Sequence, residues 1–226
     1  MVPLTPTATG YVDTTSLNIV GAWFAYGDDL GADGAPPGQC VTTGMHTASE
    51  CSVITSPAAP SDGGMASFPQ TMPGVMCLSG TAAKVIGTPP DYSNIFGIGI
   101  GLDFNNPSGT PAPYNASTNH ITGFQFTVAG LPSGTVRVEL PEPATDATGD
   151  AWSYTLTTAG AVTINLQSGT GNGDLSPSFT PAMGTTQPPF DPTTVEAIQF
   201  HVVTDTSGTI DVSSFCVSDL TAIVCP

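Results

Sequence analysis

An alternation of apolar and polar residues with a period of two restricts the fold of this chain more than any other feature. It is clearest between residues 195 and 223, where Ile198, Phe200 and Val202 occupy every second position. Turn-forming residues separate this run from a second alternating run that begins at Phe215. A strand with one buried face has this period, whereas an amphipathic helix does not. The segment therefore predicts two extended strands joined by a turn.

Similar runs recur earlier in the chain, and none of them has a helical period. Strands are predicted at 17–26, 81–86, 95–104, 123–129, 135–140, 152–156 and 162–166. The 26 Gly and 22 Pro are spread along the sequence without a repeat, which favours many turns between short strands. Together these features predict an all-β protein, a two-sheet antiparallel β-sandwich of the jelly-roll type.

A length of 226 residues suits one large β domain. Residues 1–14 are expected to be an N-terminal linker, and residues 15–226 a single jelly-roll domain. Two long connections, 28–77 and 168–192, are expected inside that domain, and connections of this length are usually functional or cross-linked. No apolar run approaches the roughly 20 residues that cross a bilayer, and the N-terminus lacks the pattern of a signal peptide.

The charge balance excludes whole classes of partner. Lys84 and Arg137 are the only basic residues besides histidine, against 18 acidic ones, and the formal net charge is −16. Such a surface repels nucleic-acid phosphates and anionic lipid headgroups. Neutral glycans and divalent cations remain acceptable partners.

The cysteines indicate an oxidising compartment. Five Cys in a chain with only 9% charged residues are typical of secreted or cell-surface proteins, where disulfides persist. Because five is odd, either one thiol is free or one Cys pairs with another chain. We expect an extracytoplasmic protein that is a monomer rather than an oligomer.

The order of segments resembles the galactose-binding-like jelly roll of non-catalytic carbohydrate-binding modules. The segments that carry this resemblance are AWFAYGDDLGADG, CLSGTAAKVIG, YNAS with ITGFQFTV, VRVEL, AWSYTL, and IQFHVV with FCVSDLTAI. The layout also resembles cysteine-containing secreted or lipid-anchored proteins of predatory soil bacteria. The resemblance covers about residues 17–224. It implies that the chain binds a carbohydrate on a concave sheet without catalysing its conversion.

Polar residues on the second face of the alternating strands form the predicted glycan site. A sugar needs planar or bidentate hydrogen-bonding groups for its hydroxyls and an aromatic surface for its ring. The residues that could supply both are Gln125, Arg137, Glu139, Trp152, Tyr154, Gln199 and His201. The alternative is that Arg137 and Glu139 form an ion pair on a solvated face.

An acidic, glycine-rich turn follows the first predicted strand. Asp28, Asp29 and Asp33 in DDLGADG could provide the oxygen ligands that calcium prefers, although the spacing is not that of an EF-hand. We expect such a calcium ion to be structural. The alternative is a solvated acidic turn.

Cys40, His46 and Cys51 have side chains that could ligate zinc. Their spacing matches none of the usual zinc pairs, and no fourth ligand is evident. A disulfide between Cys40 and Cys51 is the favoured interpretation, and it would stabilise the first long connection by about 2 to 3 kcal/mol.

Two other function classes stay open. An enzyme is the less favoured one, because no G-x-S-x-G turn is present and a glycosidase pair of Glu139 with Asp103 or Glu196 rests on acids that are abundant in this sequence. The other is a structural or adhesive surface protein that self-assembles through Thr- and Ala-rich strands, with the odd Cys linking subunits.

Overall fold

The computed structural model describes residues 1–7, 10–28, 46, 50–57, 74–90, 92, 95–107, 111–146, 150–166, 173–178 and 187–225. Within these residues the strands are β1 (Val2–Pro3), β2 (Tyr11–Thr14), β3 (Ile19–Gly27), β4 (Val53–Ser56), β5 (Val75–Ala82), β6 (Gly97–Asp103), β7 (Ile121–Ala129), β8 (Val136–Leu140), β9 (Trp152–Leu156), β10 (Gly160–Asn165), β11 (Ser176–Pro177), β12 (Ala197–Val203) and β13 (Ile210–Val224). One helical turn, α1 (Pro143–Asp146), lies between β8 and β9. No helix in the described ranges has the length and apolar character needed to cross a bilayer.

The strands form two antiparallel sheets. The six-stranded sheet has the order β10-β7-β13-β5-β4, and β1 also pairs with β13. The seven-stranded sheet has the order β11-β9-β8-β12-β6-β3-β2. Every pair of named strands is antiparallel. The predicted fold class, an antiparallel β-sandwich, is therefore confirmed.

The core lies between the two sheets and contains the apolar phase of the alternating runs. Phe126 of β7 meets Phe200 of β12 edge to face, with ring centroids 5.0 Å apart. Phe104 stacks on Phe124 at 5.5 Å. All four side chains are at most 1% exposed, and burying each stabilises the fold by about 1.5 to 3 kcal/mol.

The first 14 residues differ from the expected linker. Val2 pairs with Ala222 of β13, and β2 pairs along β3. Leu4 and Val12 are buried in the core. These short strands have too few residues to show a period of two, and their hydrogen-bond partners lie elsewhere in the chain, which is why the sequence pattern did not reveal them.

Strand β5 begins earlier than predicted. The expected strand 81–86 overlaps only the end of β5 (Val75–Ala82). Beyond it, the backbone of Lys84 forms an isolated β-bridge with Asp205. Strands β4 and β11 lie within the two expected long connections. Their hydrogen bonds to β5 and β9 hold parts of both connections against the sheets.

The four cysteines that the structure describes are in two states, disulfide-bonded and free. Cys77 and Cys216 form a disulfide between paired positions of β5 and β13. Cys51 is also disulfide-bonded, whereas Cys40 lies outside the described residues. Cys225 is an exposed free thiol in this single chain.

Candidate functional site on the seven-stranded sheet

The seven-stranded sheet has one face in the core and a second face, which we call the outer face. The strand register brings four of the predicted site residues together on it: Arg137 and Glu139 of β8, and Gln199 and His201 of β12. Arg137 lies opposite His201, and Glu139 lies opposite Gln199. These four of the seven predicted site residues are therefore one contiguous group on two adjacent strands.

A buried ion pair lies at the centre of this group. His201 Nδ1 is 3.0 Å from Glu139 Oε2, and His201 Nε2 is 2.8 Å from the carbonyl oxygen of Phe96. Ser178 Oγ donates to the other oxygen of Glu139 at 3.3 Å. Because both ring nitrogens of His201 face acceptors, the geometry suits a doubly protonated imidazolium.

The electrostatics of the pair favour the charged forms. Burial lowers the pKa of His201, but the charge and hydrogen bond of Glu139, with the carbonyl of Phe96, outweigh burial and raise that pKa overall. Burial raises the pKa of Glu139, but His201 and the charge of Arg137 hold it below its usual value. The alternative of a solvated ion pair does not describe Glu139, since this carboxylate is buried and pairs with His201.

Aromatic rings of β3 cover the neighbouring part of the outer face. The two register rows continue to β6 and β3, with His201 opposite Gly99 and then Tyr26, and Gln199 opposite Gly101 and then Phe24. A Cβ atom on Gly101 would lie 2.6 Å from Phe24 Cζ, and one on Gly99 would collide with the Tyr26 ring. The alternating glycines of β6 thus leave the space that these two rings fill.

Phe96 completes this aromatic cluster. Its ring centroid lies 6.4 Å from that of Tyr26 and 6.3 Å from that of His201. Tyr26 and His201 are themselves 5.7 Å apart. The imidazole is therefore held by hydrogen bonds at both nitrogens and by rings around it.

Only part of the outer face is accessible. Glu139, His201, Phe24 and Tyr26 are buried, at most 9% exposed. Arg137, Gln199 and Phe96 are half-buried, and Thr155, opposite Arg137 on β9, is exposed. We call Arg137, Thr155, Gln199 and Phe96 the outer-face patch. It offers a guanidinium, an amide and a hydroxyl, together with the Phe96 ring that packs against His201, above a buried floor.

Gln125 does not join this site. It lies on β7 of the six-stranded sheet, between Thr221 of β13 and Thr163 of β10. Its side chain is half-buried on the other side of the sandwich. The alternation around Gln125 identified a strand with a polar face, but alternation does not tell which sheet the strand enters.

Trp152 and Tyr154 face the core and not the outer face. They lie opposite Leu140 and Val138, both core residues, and Trp152 belongs to the core cluster itself. The indole nitrogen of Trp152 donates to the carbonyl oxygen of Pro188 at 3.2 Å. Strand β9 alternates as predicted, but the aromatic phase is the buried one.

Asp28 fixes the entry to β6. Its Oδ1 accepts hydrogen bonds from the backbone N–H groups of Phe96 and Gly97 at 2.6 and 2.8 Å, and its Oδ2 accepts one from Ser52 at 2.9 Å. The carboxylate is 1% exposed. It therefore joins two distant segments by three charge-assisted hydrogen bonds and holds Phe96 in place.

The two predicted metal sites are only partly within the described residues. Asp29 and Asp33 lie outside them, so the calcium site stays a prediction. In the part of the chain that the structure describes, no group of three or more His, Cys, Asp or Glu residues could hold a metal ion. Of the other set, His46 is buried, Cys51 is disulfide-bonded and Cys40 is outside the described residues. A cysteine in a disulfide has no thiolate to offer zinc.

Sequence reasoning missed the rings that build the floor of the site. Phe24, Tyr26 and Phe96 were not expected there, although a signal for them existed. The glycines at alternate positions of β6 predict that something approaches that face closely. The rings of the neighbouring strand are what approaches.

Comparisons with known proteins give structural likeness at low identity. No protein-family model matches the chain, and no curated protein matches it. A solved family 11 carbohydrate-binding module from Clostridium thermocellum, in complex with a β-1,3-1,4-mixed-linked tetrasaccharide, is similar with 14% identity and a TM-score of 0.43 over 100% of this chain and 98% of that chain. The family 11 module of the cellulosomal cellulase Lic26A-Cel5E of the same organism is similar with 13% identity and a TM-score of 0.40 over 97% of each chain. The expected likeness to proteins of predatory soil bacteria stays a prediction.

Proposed function

We propose that this protein is a non-catalytic carbohydrate-binding module and that a neutral glycan binds at the outer-face patch. The observation that carries the proposal is the placement of Arg137 and Gln199, two half-buried planar hydrogen-bonding groups on adjacent strands. Sugar sites in general combine such groups with an aromatic surface. Phe96 provides that surface at the edge of the patch.

Each residue of the patch has a distinct role in this proposal. The guanidinium of Arg137 has only donors in a fixed fork, so it binds hydroxyl oxygens. The amide of Gln199 has a donor and an acceptor, so it matches a hydroxyl in either direction. The Glu139–His201 pair below them is immobilised by hydrogen bonds to Ser178 and Phe96, and this rigidity lowers the cost of ordering the site on binding.

The same geometry argues for binding without turnover. A general base needs a free lone pair within reach of the substrate. In His201 both ring nitrogens already face acceptors, and Glu139 is buried and held as an anion beside His201 and Arg137. The pair therefore supports the patch and does not offer a base to it.

Charge and redox state support the remaining parts of the proposal. A formal net charge of −16 disfavours acidic glycans, which is why we propose a neutral one. The Cys77–Cys216 disulfide suits an oxidising compartment, and we propose that the protein is secreted or displayed on the cell surface. With few aromatic contacts, we expect micromolar to millimolar affinity, about −4 to −8 kcal/mol.

The test is affinity electrophoresis through gels containing soluble neutral polysaccharides (β-glucan, xylan, mannan, galactan), with a uronate polymer as the acidic comparison. Wild type is run beside Arg137→Ala, Gln199→Ala and the matched control Gln125→Ala. We expect one neutral polysaccharide to retard wild type and Gln125→Ala, and both patch variants to migrate freely. Loss of retardation in the presence of a chelator would support the predicted calcium site. If no polysaccharide retards the folded wild type, the proposal fails.

A second candidate is self-assembly, which the opposite side of the sandwich favours. Around Gln125, the face of the six-stranded sheet that points away from the core carries short uncharged side chains. Cys225 is an exposed thiol. Size-exclusion chromatography over a wide range of protein concentrations, with and without reductant, separates the two candidates. A monomer throughout supports the binding module, whereas concentration-dependent oligomers that glycan does not alter support assembly.

A further inference from the structure

A cavity of about 120 Å³ lies beside residues 217–220 of β13, and no residue of the outer-face patch lines it. The residues that line it include Leu4, Trp23 of β3, and Ser218, Asp219 and Leu220 of β13. Its volume is close to that of a small organic group of four to six heavy atoms, by comparison with the roughly 150 Å³ of a cavity that binds benzene.

The fold creates this cavity where β13 changes partner. Ser218 is the last residue of β13 that pairs with β5, and Thr221 pairs with Pro3 of β1. Between them the pairing of β13 with β7 is irregular, and Asp219 has a positive φ of 56°. A positive φ is uncommon for a residue other than glycine and points to a local constraint. This irregularity leaves a gap between the start of β5 and the end of β1.

Trp23 lines this gap and has an unused hydrogen-bond donor. Its side chain is 4% exposed and stacks on Phe200 at 6.3 Å. No described residue accepts a hydrogen bond from its indole nitrogen. The other tryptophan, Trp152, donates to the carbonyl oxygen of Pro188. A buried N–H without an acceptor is uncommon and costly, so the cavity suits a group that brings an acceptor.

Asp219 supplies the opposite chemistry. Its side chain is exposed, and Ser218 Oγ donates to its Oδ2 at 2.9 Å. Thr221 Oγ1 donates to its backbone carbonyl at 2.9 Å, which supports the left-handed turn. No basic residue lines the cavity among the described residues. The carboxylate therefore disfavours an anionic occupant and suits one with an N–H or O–H donor.

We propose that this cavity is a second binding site and that it takes a neutral carboxamide group. The carbonyl oxygen of the amide would accept from the Trp23 indole, and its N–H would donate to the Asp219 carboxylate. A small alkyl substituent such as the methyl of an acetamido group would pack against Leu4 and Leu220. Acetamido sugars and the side-chain amides of a peptide share this chemistry.

The experiment follows the two indole N–H signals by ¹H–¹⁵N NMR during titration of the intact protein. The probes are acetamide, an N-acetylhexosamine, the parent hexose, an Asn-containing tripeptide and acetate. We expect a saturable shift of the Trp23 signal with acetamide and with one of the two larger amides, and that larger amide identifies the source. The Trp152 signal, whose N–H is already bonded, should not move. The hexose and acetate should have no effect.

Two variants make the test decisive. Asp219→Asn removes the charged acceptor and should weaken acetamide binding by about tenfold or more, the usual effect of losing a hydrogen bond to a charged group. Trp23→Phe keeps an aromatic ring in the core and removes the donor. With this variant, ligand-observed saturation-transfer NMR should show no acetamide binding.

Several results would overturn the proposal. One is the absence of a saturable Trp23 shift with any amide, which would leave the cavity to ordered water. Equal shifts of Trp23 and Trp152 would indicate a solvent effect, and unchanged affinity in Asp219→Asn would remove the proposed acceptor. Arg137→Ala should bind acetamide as wild type does, so a failure here is distinguishable from a failure of the glycan proposal.

Discussion

The outward faces of the two sheets have the same alternating pattern in sequence but differ in structure. On the seven-stranded sheet, the outward phase of β8 and β12 forms a second layer with a buried ion pair and aromatic rings. On the six-stranded sheet, the outward phase of β7 and β10 consists of half-buried or exposed residues such as Gln125, Thr127 and Thr163. A period of two therefore identifies a strand with two different faces, but not whether the polar face meets solvent or another layer.

The largest effect that separates the two faces is expected at Glu139. Glu139→Gln removes the anion that neutralises His201, and breaking a buried pair costs about 3 to 5 kcal/mol of the free energy of unfolding. The control is Asp211→Asn, an exposed acid on β13 of the other sheet, which should change stability by less than about 0.5 kcal/mol. Urea unfolding near pH 5.5 measures both.

The contribution of this pair to the free energy of unfolding should also depend on pH, and the directions of the two pKa shifts determine its sign. The pKa of His201 is raised from 6.5, so its contribution is complete below that value and is lost as the pH rises through the higher folded pKa. The pKa of Glu139 is lowered from 4.5, so its contribution is present above that value and is lost as the pH falls through the lower folded pKa. The difference in the free energy of unfolding between wild type and Glu139→Gln should be largest between pH 4.5 and pH 6.5 and should decrease at alkaline pH. A difference that grows in alkali would contradict the assignment.

A somewhat smaller effect is expected at Asp28, which holds Phe96 beside the patch. Asp28→Asn replaces one accepting oxygen by an NH₂ group that faces backbone donors, and we expect a loss of about 2 to 3 kcal/mol. Asp13→Asn, an exposed acid on β2, is the matched control. Thermal unfolding of both variants tests this, and equal midpoints would show that the hydrogen bonds of Asp28 contribute little.

Filling the space above β6 should cost less again. In Gly99→Ala the new methyl group collides with the Tyr26 ring, and forced overpacking costs about 1 to 3 kcal/mol. In Gly208→Ala the new atom meets nothing within 4 Å, so this variant separates steric collision from the general effect of replacing glycine. In guanidinium unfolding, the free energy of unfolding of Gly99→Ala should be well below that of Gly208→Ala. If the two agree, the rings do not lie where the fold places them.

The smallest effect is expected at Gln125. Since its side chain lies half-buried between two threonines of the other sheet, Gln125→Ala should change stability by less than about 0.5 kcal/mol. It should also leave glycan retardation unchanged, in contrast to Gln199→Ala. Equal loss of retardation in both glutamine variants would remove the distinction between the two faces.

The sequence pattern predicted the strands well and the site only in part. The runs around Phe126, Val138 and Phe200 predicted β7, β8 and β12, because each has enough residues to show its period. The assignment of strands to sheets depends on pairing between distant segments, and this is why Gln125 was placed with Arg137 although the sandwich separates them. Which phase of a strand is buried is also a tertiary property, so Trp152 and Tyr154 were assigned to the wrong side. Grouping Arg137 and Glu139 with Gln199 and His201 was correct because β8 and β12 are neighbours in one sheet, but the period of two did not itself predict that pairing.

Amide chemical-shift mapping tests the central claim most directly. The ¹⁵N-labelled protein is titrated with an oligosaccharide of whichever neutral polysaccharide retards it most in gels. We expect chemical-shift changes concentrated on β8, β9 and β12 around Arg137, Thr155 and Gln199. In Arg137→Ala these changes should not occur. Shifts concentrated around Gln125 and Thr221 on the six-stranded sheet would place the glycan on the opposite face and contradict the account.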